Sequence, residues 1–441
     1  MDSLEHAHSS LTSDALRIWK AAVAAVDSTR LVRDAIRIDD HRLHIANEEI
    51  DLARIGRLIV VGAGKAGAGM ALGFESALGD RLTDEKATGW MNVPADCVRP
   101  LRRIYLHAAR PAGLNEPTAA GVEGADRILE LVSQAHTNDV VIVLLSGGGS
   151  ALLPSPKDGI TLADKQQVTR LLMQRGATIH ELNTVRKHLS QVKGGSLARA
   201  CRAGLMIGLI ISDVIGDPLD VIASGPTVPD TSTSEQAWEI LQRFVPSTDE
   251  IPEHVRTYFE TVVKQGNSAS KPNDSTSPLG ITNRVVNIVL GNNATALLAA
   301  ETAAHGLGYR VINQGSNLQG VARQVGVELA DQCCKLREQR EPNSLPICLL
   351  SGGEPVVHLS PTTLPRKGGR NQELILAALD RLWETGCEGM VLLSGGTDGE
   401  DGPTDAAGAY LDHDIWKIAH DRNLHPHDYL AINDAYHYFK Q

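Results

Sequence analysis

Arg57-Leu-Ile-Val-Val-Gly62-Ala-Gly64-Lys65-Ala-Gly67, with the alanine- and glycine-rich run that follows to Leu78, decides the fold class. A short apolar run closing on glycine predicts a buried strand, and the small residues behind it predict a tightly packed helix. The same grammar recurs along the chain. Strands are expected at Arg103–His107, at Asp139–Leu145 and at Leu205–Ile211, the last running into Ser212-Asp213. The unbroken VVIVLL of the second fits a parallel sheet covered on both faces. Helices are expected over residues 14–26, 119–135, 161–174 and 185–202. Further on, strands are expected at 285–290, 309–313, 347–350 and 390–393, alternating with helices at 294–305, 318–337 and 371–384. This alternation predicts an α/β protein of two doubly wound Rossmann-like lobes with a cleft between them. The polar stretch 246–280, containing SASKPNDSTSP, reads as a linker or exposed excursion. It separates an N-terminal lobe, 1–245, from a C-terminal lobe, 281–441.

The 441 residues are 42% apolar, 22% charged and 4% aromatic, with 41 glycines, so disorder and collagen are excluded. A formal net charge of −11 and the lack of a long basic run leave no footprint for nucleic acid or an anionic membrane. No apolar stretch reaches 18 residues, and Met1–Ser10 lacks the basic and apolar regions of a signal peptide, so a cytoplasmic location is expected. Six cysteines without a CxxC read as thiols, and sixteen histidines without HExxH spacing give no zinc site. A monomer or a homodimer is compatible with these features.

Gly62-Ala-Gly64-Lys65-Ala-Gly67 satisfies GxGxxG, but a dinucleotide fold wants a ribose-binding acid at the end of the next strand. Asp84 and Glu85 have no strand ahead of them. Nor is it a P-loop, because Ala66 stands where Ser or Thr is required. Lys65 nevertheless sits in the turn, where an ammonium can meet a phosphate.

Apolar runs deliver Ser-Gly-Gly three times: Ser146-Gly147-Gly148-Gly149-Ser150, Ser351-Gly352-Gly353 and Ser394-Gly395-Gly396. Strand-ending glycines bring backbone N–H groups close to anions, so all three read as phosphate loops. A serine nucleophile lacks GxSxG support.

Acids cluster at two strand ends, Asp213, Asp217 and Asp220 after Leu205–Ile211 and Asp398, Asp401 and Asp405 after the third Ser-Gly-Gly. Beside phosphate loops, carboxylates hold magnesium or take a proton from a hydroxyl. Asp220 and Asp401 are better read as turn or cap residues. Arg370-Asn371-Gln-Glu373, after Gly368-Gly369, places a guanidinium at a helix start, where it can grip a carboxylate or phosphoryl group. Arg110, Arg186, Lys187 and Lys193 are further cations that could line a cleft.

Taken together, VVGAGKA (60–66), LLSGGGSALL (144–153), NTVRKHLSQVKGG (183–195), SDVIGDPLDVIASGPTVPD (212–230), LSGGEP (350–355), GGRNQE (368–373) and SGGTDGEDGPTDAAGA (394–409) resemble the glycerate 2-kinase family. Its second lobe carries the MOFRL domain, expected here over about 345–441, and some relatives are labelled hydroxypyruvate reductase. The resemblance implies ATP- and Mg2+-dependent phosphorylation of the 2-hydroxyl of D-glycerate. It places the family's lysine on Lys65, its arginine on Arg370 and its acids on Asp213 and Asp398. Arg186, Asn371 and Glu373 are expected at the substrate, and Asp213, Asp217 and Asp398 at the metal.

Two departures stand out. Where the family shows AGHPxP, this chain has Ala108-Ala109-Arg110-Pro111, and it stops at Gln441 where the family continues toward a TGPTxTNV-like motif. Two alternatives therefore stay open, a nicotinamide-dependent hydroxypyruvate reductase and a nucleotide-binding relative without turnover.

Overall fold

The computed structural model of the chain describes residues 2–266, 283–341 and 343–441. The SASKPNDSTSP stretch lies outside them. The chain divides into two compact units, residues 28–290 and residues 1–27 with 291–441.

In the first unit, the strands β1 (Ile36–Asp39), β2 (Arg42–Ile45) and β3 (Glu48–Asp51) form an antiparallel meander. β4 (Leu58–Ala63), β5 (Ala87–Pro94), β6 (Ile104–Arg110), β7 (Val140–Leu145), β8 (Leu205–Ile211) and β9 (Arg284–Gly291) form one sheet in the order β6-β5-β4-β7-β8-β9. β4 to β8 run parallel.

The unbroken apolar runs have the expected cause. Leu58, Val60, Ile142, Leu144, Ile207 and Leu209 face one buried cluster, while Ile59, Val61, Val141, Val143, Leu145 and Met206 face another. With both faces covered, the central strands β4, β7 and β8 carry no polar residue, and each large side chain stabilises the sheet by about 1.5–3 kcal/mol. Gly62 is fixed by strand spacing: a Cβ there would lie 1.9 Å from the Leu144 carbonyl oxygen, and φ is +152°. Gly62→Ala is expected to destabilise the protein by at least about 3 kcal/mol, read as a lower urea midpoint, because backbone cannot move aside as a side-chain tip can.

A helical satellite completes this unit. Helices Leu162–Gln174, Ile179–His188, Ser234–Phe244 and Glu253–Gly266 share a core of Val168, Leu172, Leu182, Val185, Leu241, Val255 and Phe259. Thr161, Thr178 and Thr233 start three of them with reciprocal capping boxes. The expected helix over 185–202 is instead two, Ile179–His188 and Ser196–Ala200, broken where Gly194 and Gly195 take positive φ. The expected linker is also corrected in part, because residues 253–266 are a packed helix whose Phe259 is fully buried.

The second unit begins with the helix Asp2–Ala25. Ile18 and Ala22 pack with Ala296, Ala300 and Ala304 of the helix Asn293–Gly306, and the Tyr309 hydroxyl donates to Asp14 at 3.0 Å. The first 27 residues therefore belong with the C-terminal part, and the boundary lies at Leu290/Gly291. Lobes of 1–245 and 281–441 miss this, because apolar spacing reveals that a helix has a buried face but not what covers it.

Here β10 (Arg310–Asn313) pairs in parallel with β11 (Ile347–Leu350), and β12 (Leu392–Gly395) pairs antiparallel with β13 (Gly408–Leu411). The helices Ala322–Glu338 and Arg370–Arg381 supply Val325, Ala330, Ile375, Leu376 and Leu379 to the core. Among the described residues, no helix is long and apolar enough to cross a membrane.

Candidate active site

In the first unit, the carboxyl ends of three adjacent strands bring together Lys65 after β4, Ser146–Ser150 after β7 and Asp213 after β8. The GxGxxG turn is bonded internally. Gly64 N donates to Asn92 O (3.3 Å), Lys65 N to Gly147 O (2.9 Å), Ala66 N to the Ser146 hydroxyl (3.1 Å) and Gly67 N to Gly64 O (3.1 Å). The amides that would cradle a dinucleotide pyrophosphate are thus spent within the protein. Gly64 is also held close, since a Cβ there would lie 2.0 Å from Ser146 Oγ. Gly62 and Gly64 serve packing, a different use from the phosphate contact expected of them.

The Ser146–Ser150 loop is built differently. Gly148 is left-handed (φ +77°), and neither the Gly147 nor the Gly148 N–H donates to an acceptor among the described residues. A Cβ at Gly147 would lie 2.2 Å from Asp213 Oδ2, so the carboxylate closes over this glycine. A Cβ at Gly148 would lie 3.3 Å from Arg110 Nη2 and 3.5 Å from Lys65 Cγ. Two amides, the stem of Lys65 and a guanidinium meet at these glycines with a carboxylate beside them, residue types suited to a phosphate and its counter-cation. Arg110 itself is only 4% exposed. Asp217 lies in the following turn with φ +53°, and Asp220 sits 3.4 Å from Lys187, an ion pair rather than a ligand position.

In the second unit, the other two glycine loops answer to packing. Gly352 N donates to Gly315 O, and a Cβ at Gly353 would lie 2.0 Å from Leu318 O, where the segment extends the β10–β11 pairing. Gly395 pairs with Gly408 and faces the Trp19 indole, and Gly396 N donates to Ala407 O. Three similar sequences therefore have three physical uses, and only the first leaves adjacent amides open.

Around them, Asp401 governs the start of the helix Arg370–Arg381. Its carboxylate accepts from Asn371 N (2.9 Å), Asn371 Nδ2 (3.0 Å), Gln372 N (2.8 Å) and Gln372 Nε2 (3.0 Å), and it is 1% exposed. Capping was the expected role of Asp401, and here it caps a helix thirty residues earlier in the chain. Arg370, the first residue of that helix, donates to Glu354 Oε1 at 2.7 Å with about two-fifths of its side chain exposed. Asn371 accepts from the Ser394 hydroxyl at 2.7 Å, so its amide joins Asp401 to the β12 loop. Glu373 is 2% exposed and bonded to Arg323 Nε and Asn433 Nδ2, both at 2.9 Å. Both side chains expected at the substrate are thus occupied by protein partners. Asp398 accepts from Glu400 N in an exposed turn.

The sequence reading missed Lys165, which lies with Val168 and Leu172 on the buried face of its helix. A lysine inside an apolar stripe was the available signal.

Residues 14–260 match the family model described as Domain of unknown function (DUF4147), and residues 347–441 match the MOFRL family. The chain is 36% identical to a Danio rerio protein named glycerate kinase, over 98% of this chain and 93% of that one. It is 33% identical to the Pyrococcus horikoshii glycerate 2-kinase, over 97% and 91% respectively. The crystal structure of glycerate kinase from Thermotoga maritima superposes with a TM-score of 0.78 at 34% identity, covering 98% of this chain and 94% of that one.

Proposed function

Because the chain belongs to the glycerate 2-kinase family, with both its DUF4147 and MOFRL regions, we propose that it transfers the γ-phosphoryl group of ATP to the 2-hydroxyl of D-glycerate. The products are 2-phosphoglycerate and ADP. The observation that carries this reading is the pair of open amides at Gly147 and Gly148 beside Lys65, Arg110 and Asp213.

In this reading the Ser146–Ser150 loop holds nucleotide phosphates, and Lys65 offsets charge gathering on the transferring group. Asp213 orients the hydroxyl and accepts its proton as the new O–P bond forms and the bond to ADP breaks. Arg370 supplies a second positive charge, and Arg186 meets the glycerate. A carboxylate beside a phosphate cradle fits the sparse protein ligation magnesium favours, so Asp213 would hold the ion, with Asp217 and Asp398 as the other acids assigned to it. When bound, it neutralises charge on the β- and γ-phosphates. A cytoplasmic location accompanies this soluble small-molecule chemistry.

A discontinuous assay with ATP, magnesium and D-glycerate tests the proposal, with enolase coupling to separate 2-phosphoglycerate from its 3-isomer. Accumulation of 2-phosphoglycerate is expected. NADPH oxidation with hydroxypyruvate and no phosphoglycerate would replace the kinase by the reductase, against the internally bonded GxGxxG turn. Asp213→Asn is expected to lower kcat by about 10²–10³-fold with the glycerate KM within about twofold. The reverse pattern in steady-state kinetics would make Asp213 a binding residue.

A further inference from the structure

On and beside the helical satellite, the first unit holds the buried Lys165 and Lys193 and the half-buried Arg186, with no acid paired to them among the described residues. Lys165 is 8% exposed and Lys193 2%. Lys165 Nζ donates only to Leu189 O (2.9 Å), and Lys193 Nζ to Ser150 O (3.0 Å) and Ala223 O (3.4 Å). Arg186, one helical turn beyond Asn183, donates to no acceptor among the described residues, and neither does the Asn183 NH2, although Asn183 is only 6% exposed. The Asn183 carbonyl oxygen instead accepts from Ser224 Oγ (3.4 Å), which meets Ser150 Oγ at 2.9 Å. The neighbouring acids are turned elsewhere, Asp220 to Lys187 and Asp230 to Lys187 and His188.

Burial pushes the Lys165 amine down to about 7, with Arg186 and Lys157 adding to the effect. It likewise drives Lys193 well below the ordinary lysine range. An arginine has no such escape, since it stays charged throughout the accessible pH range. Arg186 is half-buried, and a guanidinium drawn partly out of water without a counter-charge is relieved by an anion. The backbone over this group is also strained, with Ala223 and Ser224 consecutively left-handed at φ +51° and +61°. Such strain concentrates at binding sites.

We infer that Asn183, Arg186 and Lys193, backed by Lys165, form a carboxylate-binding subsite next to the Ser146–Ser150 loop, and that it takes the carboxylate of the small hydroxy-acid substrate. The identity of that substrate rests on the kinase reading; the existence of the subsite rests on its donors alone. A forked guanidinium beside an amide NH2 matches a planar two-oxygen anion, whereas the open amides at Gly147 and Gly148 already offer the phosphate its cradle. Ser150 joins the two, its carbonyl accepting from Lys193 and its hydroxyl meeting Ser224.

The test uses the full chain and the variants Arg186→Met, Arg186→Lys and Lys193→Met. Steady-state kinetics with ATP and either D-glycerate or its neutral amide are paired with calorimetric titration of D-glycerate without nucleotide. Arg186→Met is expected to raise the D-glycerate KM about 100-fold, leave the ATP KM within about twofold, and abolish the preference for the acid over the amide. Lys193→Met should raise it about tenfold, and Arg186→Lys should recover part of the loss, with thermal midpoints unchanged. An increase confined to the ATP KM would assign the cluster to nucleotide and overturn the inference. So would an unchanged D-glycerate KM with a lowered thermal midpoint. If the wild type makes no phosphoglycerate, the kinase reading falls and the titration decides the subsite separately. D-Glycerate or acetate binding that Arg186→Met removes supports it, and no carboxylate binding to the wild type overturns it.

Discussion

Lys65→Met leaves a protein that melts within about 2 °C of the wild type and turns over about 10³-fold more slowly, a loss of about 4 kcal/mol in transition-state stabilisation. The fold does not depend on the ammonium. The turn is held by the backbone, with Lys65 N on Gly147 O and Ala66 N on Ser146 Oγ, and methionine keeps the apolar stem. Under the proposed reaction, what is lost is the charge of a side chain that passes Gly148, charge that would offset the negative charge gathering on the transferring phosphoryl group. Positioning and electrostatics supply most of the catalysis in phosphoryl transfer, so kcat falls while the ATP KM moves by less than about tenfold. Arg370→Met should behave similarly, because Arg370 is two-fifths exposed and its pairing with Glu354 contributes at most about 1 kcal/mol to folding. Near-normal turnover in both variants would remove these residues from the reaction.

Asp401→Ala should be the most destabilising single change in the second unit, costing about 3–5 kcal/mol in thermal or urea unfolding. Its carboxylate takes four hydrogen bonds from Asn371 and Gln372 while fully buried at the positive end of the helix Arg370–Arg381. Truncation removes the acceptor of four donors at once, two on the buried Gln372 and two on the half-buried Asn371. Gly369 has no side chain for the same reason, since a Cβ there would lie 2.3 Å from the Asp401 carboxyl carbon. Asp401→Asn is expected to recover only part of the loss, because its own NH2 then faces N–H groups. Arg370 opens this helix and Ser394 is bonded to Asn371, so turnover at a temperature where the variant is still folded should fall as well. A variant as stable as the wild type would show that the cap is dispensable.

Local rules reached far into this chain. The strands at Leu205–Ile211 and Ile347–Leu350 have the bounds their apolar runs predict, and Val140–Leu145 begins one residue later than expected. Thr161, Thr178 and Thr233, each three residues before Asp164, Glu181 or Gln236, are helix starts written in neighbouring residues. The meander over residues 36–51 left weaker marks, because four-residue strands with mixed burial lack a long apolar run. That Lys65 and Asp213 stand at the carboxyl ends of parallel strands was legible, because each closely follows its apolar run.

Sequence alone therefore determined the α/β class, the strand-ending glycine loops and the family, since each depends on residues adjacent in the chain or on motifs kept in order. Tertiary structure decided what each loop is for. Whether a glycine leaves its amide without an acceptor among the described residues, as Gly147 and Gly148 do, or fits under a carbonyl, as Gly62 and Gly353 do, depends on atoms from another strand. It also decided that residues 1–27 pack with 291–441, and that the buried Lys165 and Lys193 and the half-buried Arg186 have no paired acid among the described residues. Burial and charge balance are sums over neighbours brought together only by folding, so no single segment of the sequence holds them.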